Sequence, residues 1–70
     1  MNPRFQATLV FLRAYIARYG YPPTYREIAA GAGLSSTSVV HYQLRALEED
    51  GYITRVPGSA RAIAIKEQKP

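Results

Sequence analysis

The stretch Thr24 to Gly51 reads TYREIAAGAGLSSTSVVHYQLRALEEDG, and its punctuation decides the fold. Thr24 and Glu27 form the T-x-x-E pattern of a capping box, with Pro23 and Ile28 placed as a hydrophobic staple, so the spacing predicts a helix over about 25–32. Gly33, Leu34 and Ser35 follow as a turn whose apolar plug is Leu34. Ser36, or Ser35 in its place, can cap a second helix over about 37–50, which Gly51 ends. At about 100° per residue, Val40, Leu44 and Leu47 share one arc of that helix. Ser38, His41, Tyr42 and Arg45 lie opposite, with Val39 on the flank. Two short helices about a glycine turn, the second with one face for a core and one for a partner, make a helix-turn-helix.

Upstream, Asn2 can cap a helix, Pro3 suits its first position and Gly20 its left-handed stop, which predicts a helix over about 3–19. Phe5, Leu9, Leu12, Ile16 and Tyr19 form its expected buried stripe. Arg4, Arg13 and Arg18 are scattered over its other faces, against the pattern of a membrane-surface helix. Tyr21-Pro22-Pro23 must be extended, because proline disfavours helical geometry in the residue before it. Downstream, Tyr52 to Val56 and Arg61 to Ile65 are rich in β-branched residues and flank Pro57-Gly58-Ser59-Ala60, the pattern of a hairpin over about 52–65. The tail from Lys66 to Pro70 has no side chain for a core and is expected to be disordered. The sum is a mainly α fold with a small antiparallel β-hairpin, a three-helix winged helix-turn-helix in one domain spanning residues 1–70.

A chain of 70 residues buries only about 60% of its unfolded surface, so the core must be compact. With no cysteine and one histidine, neither a disulfide framework nor a metal cluster of usual ligand count is expected, and no cofactor is implied. The longest apolar run, Ala7 to Ala17, is broken by Arg13 and falls short of a membrane span, so a cytoplasmic protein is expected. Nine Lys and Arg against five Asp and Glu give a net charge of +4, which suits a polyanionic partner. Charge alone fits a mildly basic soluble domain equally well.

Three further pieces carry a family likeness. The PPT-x-x-EIA entry to the second helix, the L-x-AL-x-x-x-G-x-I exit from the third and the VPGSARAI wing tip lie in that order along the chain. Together the sequence resembles the amino-terminal DNA-binding domain of the LexA repressor family over nearly its whole length. The resemblance implies a repressor that occupies an operator in duplex DNA, and it places base-contacting positions on Ser36, Ser38, Val39, His41 and Tyr42. The family usually carries Asn and acidic residues there, and this departure leaves the operator sequence open. Its carboxy-terminal self-cleaving domain, with a Ser and Lys pair, is not expected here, where the only lysines are Lys66 and Lys69.

The residues themselves support contact with a duplex. Ser38 can bond a base edge or a phosphate, Val39 can meet a thymine methyl, and His41 can donate to a guanine acceptor, while Tyr42 and Arg45 reach phosphate oxygens. Glu48 or Glu49 could instead hold Arg45 in an ion pair within the helix. Arg26 is a further phosphate candidate. Arg55 and Arg61 flank the wing tip, where facing like charges call for an anion, and Gly58 and Ser59 can bring backbone N–H groups to a phosphate. Glu48, Glu49 and Asp50 repel phosphate, so the amino-terminal half of the helix should enter the groove. Ser38 and His41 lack an orienting acid, which argues against an enzyme. A homodimer on a two-half-site operator is a further expectation, with no membrane and no small molecule evident as partner. The alternative is a winged-helix protein-docking module without DNA binding, if Tyr15, Tyr21, Tyr25 and Tyr42 share one apolar patch.

Overall fold

Thr24 has extended backbone (φ −74°, ψ 165°) and starts a helix by capping it in both directions. Its hydroxyl accepts from the Glu27 N–H at 3.2 Å, and its own N–H donates to Glu27 Oε1 at 2.7 Å. These local bonds fix one boundary in a computed structural model that describes residues 3–55 and 63–66, with side chains from Phe5 onward. Its elements are α1 (Pro3–Tyr19), α2 (Tyr25–Ala32), α3 (Thr37–Glu49), β1 (Ile53–Arg55) and β2 (Ile63–Ile65).

Between α2 and α3 the chain turns on Gly33, whose φ of 72° is left-handed and open to glycine at little cost. Leu34 then donates its N–H to the Ala29 carbonyl at 2.8 Å and packs, half-buried, against the core. Ser36 caps α3 by accepting from the Val39 N–H at 3.4 Å. Asp50 follows Glu49 as the carboxy-terminal cap of α3.

The core takes Leu9 and Leu12 from α1, Ile28 from α2, Val40, Leu44 and Leu47 from α3, and Ile53 and Ile63 from the hairpin. All three residues assigned to the inner arc of α3 are fully buried. The α1 stripe departs from its expected form at both polarity and length. Phe5 and Ile16 are only half-buried, and Tyr19, expected inside, is 47% exposed because the last turn runs past the core. Thr8 is fully buried instead, next to the equally unexpected Gln43, to which its hydroxyl donates. A buried polar atom without a partner costs about 1–3 kcal/mol, so each residue makes the other admissible.

The hairpin is antiparallel, with Ile53 opposite Ile65, Thr54 opposite Ala64 and Arg55 opposite Ile63. A pair of strands this short is marginal alone in water, and Ile53 and Ile63 anchor it by facing the helices. The register also corrects the expected facing arginines, since the cross-strand neighbour of Arg55 is Ile63. Lys66, assigned from sequence to the tail, donates its N–H to the Tyr52 carbonyl at 2.9 Å. The rest of the tail and the tip, including Gly58, Ser59 and Arg61, lie outside the described residues.

Candidate nucleic-acid interface

Because Val40, Leu44 and Leu47 face inward, α3 must turn Ser38, His41, Tyr42 and Arg45 out, and all four are exposed. Ser36 is exposed at the amino terminus of the helix, and Val39 is half-buried on its flank. The candidate base-contacting residues thus occupy the amino-terminal cap and the first two turns of α3. Tyr42, 68% exposed, rests edge-on against Phe5 of α1 with ring centroids 6.0 Å apart. That contact steadies an aromatic side chain that still meets solvent.

The candidate phosphate ligands divide into two kinds. Arg26 is exposed on the first turn of α2. Arg45 pairs with Glu49 one turn on at 3.4 Å, with side chains 73% and 66% exposed. Such exposed pairs contribute about 0.3–0.5 kcal/mol, and a cation preceding the anion along a helix is the weaker order. The ion pair anticipated within α3 is therefore present, and weak.

Arg55 is different. Its Nε donates to Glu48 Oε1 at 3.0 Å, while Nη1 donates to the Tyr25 hydroxyl at 3.4 Å and lies 3.2 Å from His41 Nδ1. One guanidinium therefore ties β1 to α2 and α3, with its side chain only 20% exposed. Hydrogen bonding to the Tyr25 hydroxyl raises its pKa above the ordinary arginine value against the opposing effect of burial, and Glu48 adds to the rise. The charge is permanent, and Nε and Nη1 are engaged within the protein. Sequence reasoning missed this arrangement, although a carboxylate seven residues before an arginine across a helix-to-strand turn is a signal that could have suggested it.

The tyrosines proposed as one patch are divided by their ring contacts. Tyr15 meets Tyr19 at 4.5 Å and Tyr21 at 6.0 Å, whereas Tyr25 packs edge-on to His41 at 5.1 Å and Tyr42 meets Phe5. Among the described residues no helix is long and apolar enough to cross a membrane. None of their His, Asp and Glu side chains group in threes that could hold a metal ion.

Comparison with known proteins agrees with this geometry. Residues 1–62 match the family model described as LexA DNA binding domain. The chain is 48% identical over 65 residues to a LexA repressor of Geobacter metallireducens, an alignment that covers 93% of this chain and 32% of that protein. It is 46% identical over 65 residues to the LexA repressor of Frankia alni, covering 93% and 26%, and 48% identical over 59 residues to that of Carboxydothermus hydrogenoformans, covering 84% and 29%. The chain thus spans about a third or less of the length of these relatives. A capped recognition-type helix with an exposed polar face, a hairpin beside it and a family match over most of the length lead to one conclusion: this chain belongs to the LexA DNA binding domain family.

Proposed function

We propose that this domain is the duplex-reading part of a transcriptional repressor, placing the first two turns of α3 in the major groove. The observation that carries the reading is the division of α3 into a fully buried face and an exposed face within a helix-turn-helix. Ser36, Ser38, Val39, His41 and Tyr42 are the proposed base-edge residues, and Arg26 and Arg45 the proposed phosphate ligands. The weak Arg45–Glu49 pair gives way to phosphate at small cost. Gly58, Ser59 and Arg61 complete the proposal at the wing. The carboxylates of Glu49 and Asp50 keep the far end of α3 off the backbone, which favours docking through its capped beginning. A partner of this kind places the protein in the compartment that holds the chromosome.

A single module of this size covers about 600–1,000 Å² of DNA, so two copies on two half-sites are needed for operator-grade specificity. Selection of bound sites from a random duplex library tests the reading, with enrichment of one half-site, in pairs, as the expected result. His41→Ala should lower discrimination between the selected and a scrambled duplex by about 1 kcal/mol or more while sparing non-specific binding. An equal loss on both duplexes would remove His41 from the reading set.

A further inference from the structure

The contact between Arg55 Nη1 and His41 Nδ1 admits only one donor. A guanidinium has five N–H groups and no acceptor, so at 3.2 Å the imidazole nitrogen must be the acceptor and must carry no proton. Neutral histidine then holds its proton on Nε2. We propose, on the DNA-binding reading above, that Arg55 is a positioning residue for recognition: it locks His41 in the Nε2–H tautomer, so that this position presents a donor to the groove.

Each neighbour of the ring supports the lock. Glu48 fixes the other end of the guanidinium through Nε, and the Tyr25 hydroxyl accepts from the same Nη1 that meets the imidazole. Tyr25 also confines the ring plane, lying edge-on at an interplanar angle of 76°. With Nδ1 occupied, Nε2–H is the polar group that the exposed ring has left to offer. A donor selects among base edges. It suits purine N7, guanine O6 or thymine O4, and it rejects the amino groups of cytosine and adenine. Specificity at this position is therefore set by a residue of the wing strand.

Lysine separates the charge of Arg55 from its shape. Arg55→Lys keeps a cation for Glu48, but one ammonium cannot span the carboxylate and the imidazole as the two ends of a guanidinium do. His41 is the only histidine, so its imidazole nitrogens can be read by 15N NMR in mildly alkaline buffer without assignment. The wild-type protein should show a bare Nδ1 and a protonated Nε2. Arg55→Lys, with its fold checked by the amide spectrum, should show a mixture of tautomers and about fivefold less discrimination between selected and scrambled duplex. Protonated Nδ1 in the wild type, or a Lys variant unchanged in tautomer and discrimination, would overturn the proposal. So would Arg55→Met lowering the slope of log affinity against log salt by about one with discrimination intact, the mark of a phosphate contact. If the wild type selects no duplex, the DNA-binding reading fails, while the imidazole spectrum still decides which nitrogen Arg55 holds.

Discussion

Thr8 on α1 and Gln43 on α3 are buried polar side chains that share a hydrogen bond across 35 positions of sequence. Thr8→Val keeps the shape and removes the donor, leaving Gln43 Oε1 dry and short of its partner. Its urea midpoint should fall by the equivalent of about 1–3 kcal/mol, and Gln43→Met added to it should recover most of the loss, since an apolar pair carries no unmet bond. If the double variant is as unstable as the single, packing rather than hydrogen bonding explains Thr8. Neither residue was legible, because a polar side chain at an inward angle looks like a surface residue until its distant partner is known. Arg55 was hidden for the same reason. Its position near the wing tip was readable, but Tyr25, His41 and Glu48 come from two other elements, and only the folded chain brings them together. Ser38, His41 and Tyr42 were readable as exposed, because helical period alone sets which residues oppose Val40, Leu44 and Leu47.

Helix boundaries depend on chemistry within a few residues, which is why Thr24, Glu27, Gly33 and Ser36 could be read as punctuation before any packing was known. Gly31 could not. In an α2 of eight residues it looks like a defect, costing roughly 1 kcal/mol against alanine by helix propensity. The fold explains it, since a Cβ at Gly31 would overlap the ring of Phe11, which lies against α2 and packs on the core. Gly31→Ala should therefore destabilise the domain despite the better propensity, whereas in a Phe11→Ala background the same change should stabilise by up to about 1 kcal/mol. Thermal melts of the four proteins check it, and a gain from Gly31→Ala alone would show that the Phe11 ring moves aside freely. The limits of periodicity also appear on α1. Tyr19 has the right angular position for the core and the wrong axial one, so it turns to Tyr15 and Tyr21 instead.

At the scale of the molecule, three helices and a hairpin follow from agreement between turn chemistry and hydrophobic period, which left few ways to bury one apolar face per element. Strand register was less readable because β1 and β2 span three residues each, too few for alternation to single out one pairing. The same architecture divides the surface by role. The capped start of α3 carries the exposed polar face, its far end carries acids, and Arg55 joins wing strand and helix into one unit. The most direct test of this account is an amide NMR titration of the domain with the duplex recovered from random-library selection. Resonances of Ser36 to Tyr42 should move together and saturate, while those of Tyr15 to Tyr21 stay in place. Shifts centred on the Tyr15–Tyr19–Tyr21 cluster, with the start of α3 unmoved, would contradict it.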